Sequence, residues 1–170
     1  MNVYFDNAAT TKVRDEVIDD MSNVLKDCFG NPSSTHSYGR SAKSYIEISR
    51  KSIAKILNCD PREIIFNSGG TESDNSILKC AVKDLGVKHI ISSKIEHHAI
   101  THTLDELKLE GINVHYVKLS ENGNVDIDNL KYLLSFNDEP KLVTLMYINN
   151  EIGNILDIKS VSDLCQKYNS

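Results

Sequence analysis

The chain has 170 residues, 40% of them apolar and 25% charged, which is the size of one ordinary domain able to bury roughly 70% of its unfolded surface. Its 19 Lys and Arg stand against 24 Asp and Glu for a net charge of -5, and no basic cluster follows a phosphate backbone, so nucleic acid is not an expected partner. Uncharged apolar runs fall far short of the ~20 residues of a bilayer span, and the composition is that of a soluble globular protein.

Met1-Asn2-Val3-Tyr4-Phe5-Asp6 has neither a positive n-region nor an apolar h-region, so a cytoplasmic protein is expected. Cys28, Cys59, Cys80 and Cys165 lack C-x-x-C spacing, and His97, His98 and His102 lack partners at zinc-site spacing; reduced thiols and no metal are expected. Gly30 to Gly39, rich in Ser, Gly and Asn, reads as an irregular loop.

From Gly39 to Leu57, Ala42, Tyr45, Ile46, Ile53, Ile56 and Leu57 recur at helical spacing with charges around the rest of the wheel, which predicts a long amphipathic helix. Cys59-Asp60-Pro61-Arg62 breaks that period. Glu63 to Asn67 is a short run of strand formers ending at Ser68-Gly69-Gly70, and is predicted as strand and tight turn. From Glu72, apolar residues at Ile77, Leu78, Ala81, Val82 and Leu85 predict a helix closed by Gly86.

The alternation continues with a strand at His89–Ser92, a helix at Ala99–Leu109 closed by Gly111, and a strand at Ile112–Leu119. Asn122-Gly123 marks a turn. Asp126 is placed to cap a helix that buries Ile127, Leu130 and Leu134; Leu142 to Ile148 is an apolar run suited to a strand buried on both faces, and Ile158, Val161, Cys165 and Tyr168 stripe a final helix. Strands alternating with helices imply an α/β protein with an open, doubly wound, mainly parallel sheet between helices.

In such sheets ligands bind beyond the carboxyl ends of the strands, which singles out three loops. Ser68-Gly69-Gly70-Thr71-Glu72-Ser73 can offer free N–H groups at a helix start to an anion such as phosphate, but has no Lys at the P-loop position; a local alternative is a Thr71–Asp74 capping box. Lys94-Ile95-Glu96-His97-His98-Ala99 offers an imidazole that can move a proton or stack on a ring, with simple helix capping as the alternative. Asn149-Asn150-Glu151-Ile152-Gly153 offers carboxamide donors, or else Asx turns. A phosphorylated aromatic ligand meets all three demands, whereas a dinucleotide-binding domain would need a G-x-G-x-x-G loop that is absent.

Tyr4-Phe5-Asp6-Asn7-Ala8-Ala9-Thr10-Thr11, Gly30-Asn31-Pro32-Ser33-Ser34 with His36 and Gly39, Ser68 to Asn75, Glu96-His97-His98-Ala99 and Asn149 to Gly153 occur in this order. Over essentially the whole chain this series resembles the NifS/IscS-type cysteine desulfurases, fold-type I enzymes of the class V aminotransferase group that use pyridoxal 5'-phosphate. The resemblance implies that Gly70 and Thr71 hold the cofactor phosphate, that His97 stacks on the ring and relays protons as a catalytic residue, and that Asn150 bonds the phenolic oxygen of the ring. It also implies L-cysteine as substrate, a homodimer, and a sulfur-acceptor protein such as an iron–sulfur scaffold.

Residues 1–38 then correspond to an N-terminal arm with the G-N-P-S-S loop, and 39–170 to the N-terminal part of a large cofactor-binding domain. The family's ring-pairing Asp, Schiff-base Lys and sulfur-accepting Cys match nothing here, since the S-x-H-K pattern is absent. The expectation is therefore a truncated portion with negligible activity by itself, prone to aggregate or needing a partner at its unpaired sheet edge. Competing expectations are another class V enzyme, a selenocysteine lyase, or a non-catalytic binding or regulatory protein that keeps the fold.

Overall fold

A computed structural model describes residues 1–170. The chain forms two compact units, Met1–Phe66 and Asn67–Ser170.

In the first unit, helix α1 spans Asp15–Asp27 and helix α2 spans Ser37–Leu57. The first was not expected, although Val17, Ile18, Met21, Val24 and Leu25 recur at helical spacing and Asp15, Glu16 and Lys26 sit at the ends that the helix field favours. None of its residues is buried. His36 opens α2 by accepting the Gly39 N–H at 3.3 Å, and Asn58 closes it in the left-handed conformation at φ 54°. Only the small residues Gly39, Ala42 and Ala54 of α2 are buried, while Tyr45, Ile56 and Leu57 remain exposed.

The irregular Gly30–Gly39 stretch owes its path to close backbone approach. A Cβ on Gly39 would lie 2.7 Å from the Asn31 carbonyl oxygen and still closer to that of Ser34, and one on Gly30 would strike the Tyr38 carbonyl. Asn31 ties the turn by accepting the Ser33 N–H on Oδ1 and the Ser34 N–H on its carbonyl, both at 2.9 Å.

The strand expected at Glu63–Asn67 does not form. Pro61–Glu63 is a single 3-10 turn, held by a capping box in which Asp60 accepts the Arg62 N–H at 2.8 Å and Glu63 accepts the Asp60 N–H at 2.6 Å. Ile64 then takes extended dihedrals, φ -90° and ψ 118°, but its carbonyl receives the Arg50 guanidinium rather than a neighbouring strand, and Ile65 is 80% exposed. Strand-forming residues make the backbone extended; a ladder also needs a partner.

The second unit is the expected α/β architecture. Its elements are α3 (Gly70–Asp84), β1 (His89–Ser92), α4 (His98–Leu109), β2 (Asn113–Tyr116), α5 (Ile127–Ser135), β3 (Lys141–Val143) and α6 (Ile158–Lys167). The sheet order is β2-β1-β3 and both pairings are parallel, with Ile90 opposite Val114 and Leu142. Alternation along β1 sends Ile90 and Ile91 to opposite faces, and each joins its own core. Ile90 packs with Leu78, Ala81, Ile100, Leu104 and Leu107 of α3 and α4, whereas Ile91 packs with Leu130, Leu134 and Val161 of α5 and α6. A strand buried on both faces is what a helix–sheet–helix sandwich requires, and all of β1 is buried.

Two strands are shorter than expected, because β1 ends at Ser92 and offers no ladder beyond it. The last bonds to β1 are Val117 N–H to Ser92 O and Thr144 N–H to Ile91 O, both 2.9 Å. Leu119 and Ile148 instead make isolated antiparallel bridges to Val125 and Ile155.

Candidate functional site at the carboxyl end of the sheet

Helix α3 begins without a side-chain cap. Its N-cap is Gly69, whose φ of 153° suits glycine alone, so Thr71 lies inside the first turn and the Thr71–Asp74 capping box does not occur. The Ser73 N–H is satisfied by the Gly69 carbonyl at 3.1 Å, but the N–H groups of Gly70, Thr71 and Glu72 have no protein partner. A Cβ on Gly70 would meet nothing within 4 Å, so open space adjoins these donors. Glu72 does not compete for the amides: it accepts the Ser68 hydroxyl at 2.6 Å and the Ser68 N–H at 2.7 Å, which hold its carboxyl below the usual range.

Helix α4 starts differently. His97 caps it through Nδ1, which accepts the Ala99 N–H at 3.1 Å, so the capping alternative for this residue is what the backbone uses. That bond puts the proton of the neutral ring on Nε2 and leaves the exposed ring edge available to a ligand. One group thus serves both local structure and the chemistry expected of it.

The two helix starts lie at the same end. Asn75 on α3 donates to the Thr71 carbonyl at 2.8 Å and to the Ala99 carbonyl at 3.5 Å, and it accepts the Thr103 hydroxyl at 2.7 Å. Farther along, Lys79 pairs with Glu106 at 2.9 Å. Contacts that advance together in both helices mean that they run in the same direction, and α4 starts just beyond the carboxyl end of β1.

The third loop joins the same end through two side chains. Asn149, only 6% exposed, donates from Nδ2 to the Ile95 carbonyl at 2.8 Å, and Oδ1 accepts the Glu151 and Ile152 N–H groups at 2.9 and 3.1 Å. The Asx-turn alternative therefore holds for Asn149, while Asn150 is exposed and its amide bonds Glu151 Oε1 at 3.1 Å. Glu96 accepts the Ser93 hydroxyl at 2.6 Å and the Met146 N–H at 3.1 Å; burial pushes its carboxyl above the usual range against the lowering effect of those donors. A cavity of about 180 Å³ behind these loops is lined by Glu96, Met146 and Asn149 but by none of Gly70, Thr71, His97 and Asn150, all of which are exposed.

All four residues predicted for the site thus lie on loops or helix starts at one end of the sheet. Of the ties that hold those loops, Asn149 makes the Asx turn expected of it, whereas Asn75, Thr103 and Glu96 carry no local signal for the parts they play. Uncapped amides beside an exposed imidazole suit an anion attached to a flat ring.

The Aminotransferase class-V family matches residues 3–170, and the chain belongs to that family. It is 42% identical over 170 residues to a cysteine desulfurase IscS of Clostridium botulinum (strain Kyoto / Type A2), covering 98% of this chain and 42% of the relative. It is 40% identical to a putative cysteine desulfurase IscS 1 of Bacillus subtilis (strain 168), covering 98% of this chain and 44% of that protein. Among solved structures, a NifS-like protein superposes with a TM-score of 0.92 at 38% identity, over 99% of this chain and 46% of its own. A structure described as SspA in complex with cysteine does so with a TM-score of 0.89 at 31% identity, over 98% of this chain and 48% of its own. The chain therefore spans less than half the length of these relatives, and the fold is that of the NifS-like proteins.

Proposed function

We propose that this chain forms part of a pyridoxal 5'-phosphate-dependent cysteine desulfurase, which removes sulfur from L-cysteine to leave alanine and passes it on as a protein persulfide for iron–sulfur cluster or thio-cofactor synthesis. The observation that carries this reading is the trio of unpartnered amides at Gly70, Thr71 and Glu72, set at the same end as the exposed ring of His97. The relatives named for this reaction, and the one solved with cysteine, support the substrate.

The residues present fit the cofactor. The Gly70 and Thr71 amides and the Thr71 hydroxyl hold its phosphate, with the positive end of α3 behind them. His97, with the proton of its neutral ring on Nε2, would stack on the cofactor ring and be placed to move a proton there. The Asn150 carboxamide donates to the phenolic oxygen of the ring. When bound, pyridoxal phosphate supplies an electron sink that weakens bonds at the substrate α-carbon.

In this reading residues 39–170 belong to the cofactor-binding domain and residues 1–38 form its arm and G-N-P-S-S loop. No residue of this chain takes the part of the Schiff-base lysine, the ring-pairing aspartate or the sulfur-accepting cysteine. The working protein is a cytoplasmic homodimer whose acceptor is an iron–sulfur scaffold or a comparable protein.

The test is titration of the chain with pyridoxal 5'-phosphate, followed by absorbance and by competition with inorganic phosphate, and then borohydride reduction. Saturable, phosphate-competed binding without site-specific lysine labelling is expected. Absence of saturable binding would refute the cofactor site, and stoichiometric labelling of one lysine would overturn the assignment of that role outside this chain.

A further inference from the structure

His97 and Asn150 sit on different loops, and two side chains tie those loops in opposite senses. Glu96 of the first loop accepts a backbone N–H of the second, from Met146 at 3.1 Å. Asn149 of the second loop donates to a backbone carbonyl of the first, that of Ile95 at 2.8 Å. Each tie is anchored on its own side: the Ser93 hydroxyl donates to Glu96 and accepts the Ile95 N–H at 3.3 Å, while Asn149 Oδ1 gathers the Glu151 and Ile152 amides. Each tying residue immediately precedes the residue that the site would use.

We propose that Glu96 and Asn149 are positioning residues, a reciprocal clamp whose two hydrogen bonds set the spacing between His97 and Asn150 and hence the slot for a flat ring. The proposal rests on the cofactor reading above. What the clamp requires of Glu96 is an acceptor oxygen, which a carboxamide also provides. The anion-holding amides of α3 are held by a separate tie through Asn75, so the clamp affects the ring and leaves the phosphate alone.

The experiment measures two dissociation constants for each variant, one for pyridoxal 5'-phosphate and one for inorganic phosphate. Glu96→Ala and Asn149→Asp, the latter keeping the Asx-turn acceptor and losing the donor to Ile95, should each weaken pyridoxal phosphate by about tenfold or more, equivalent to about 1.4 kcal/mol. Inorganic phosphate should bind all variants within about twofold of the parent, and Glu96→Gln should restore pyridoxal phosphate affinity to within about twofold. Equal weakening of both ligands, or no weakening of either, overturns the clamp; if Glu96→Ala does not fold, Asn149→Asp and Glu96→Gln decide the matter. Should the parent chain bind pyridoxal phosphate no better than phosphate, the cofactor reading fails by itself, and hydrogen exchange at the Met146 amide then judges the clamp. Protection in the parent and in Glu96→Gln, lost in Asn149→Asp, supports it, and equal protection in all three overturns it.

Discussion

The Thr103 hydroxyl donates to the Asn75 side chain across 2.7 Å, and through Asn75 it is linked to the carbonyl of Thr71. Thr103 is 2% exposed and its one hydroxyl hydrogen is shared between Asn75 Oδ1 and the Ala99 carbonyl, which lies at 2.8 Å, so a single buried hydroxyl joins the body of α4 to the first turn of α3. Thr103→Val keeps the shape and removes the donor, leaving Asn75 Oδ1 half-buried without it. Urea unfolding should show a loss of about 1–3 kcal/mol. An unchanged midpoint would mean that this hydroxyl adds nothing to the packing of the two helices.

If the α3 amides and the Thr71 hydroxyl grip a phosphate ester, Thr71→Ala should weaken pyridoxal 5'-phosphate by roughly 1–3 kcal/mol, the worth of a hydrogen bond to a charged group. Fold stability should hardly change, because Thr71 is exposed and caps nothing. A dissociation constant that stays put in equilibrium titration removes the hydroxyl from the site.

At the opposite end of the sheet, Glu139 Oε2 lies 2.6 Å from His89 Nε2, and His89 Nδ1 lies 3.0 Å from His115 Nε2. Burial, and then the electrostatic influence of the neighbouring His89 and Lys141, hold His115 below the usual histidine value of 6.5. Below pH 6.5 the unfolded chain therefore takes up a proton that folded His115 refuses, and stability falls as the pH drops through that value. Glu96 has the opposite sign: its stabilising share is complete below 4.5 and is lost as pH rises through its elevated folded value. Between pH 7.5 and 5.5 the unfolding midpoint of the parent should thus fall more steeply than that of His115→Gln, and parallel curves would show that His115 does not carry the effect.

Gly39→Ala tests the loop before α2. The added methyl meets the carbonyl oxygens of Asn31 and Ser34, which are backbone atoms with no rotamer to yield. A cost of about 1–3 kcal/mol is expected, together with faster proteolysis between Gly30 and His36. Wild-type resistance to the protease would show that the loop can shift to make room.

Much of the fold was legible because its signals are local. Helical spacing with a cap or a closing glycine located α2 through α6, and the continuous apolar run from Leu142 to Ile148 announced a sandwiched sheet, although the strand buried throughout is β1. The misses share another cause. Ile64, Ile65 and Phe66 look like a strand, but the carbonyl of Ile64 is taken by a guanidinium fourteen residues back. The α1 residues Val17, Ile18, Met21, Val24 and Leu25 have helical spacing, yet the structure buries none of them. Within the site, Gly70, Thr71, His97 and Asn150 stood out by residue type, whereas Glu96 and Asn75 act through partners 50 and 28 residues away, beyond any local pattern.

Because α3 and α4 point the same way, their macrodipoles add at the carboxyl end of the sheet, each contributing up to about half a positive charge there. One of these poles is stoppered by an imidazole and acts only at a distance; the other is bare and can be touched. An approaching dianion is therefore drawn by both and caught by one, so its capture should slow and loosen as added salt shortens the reach of the field.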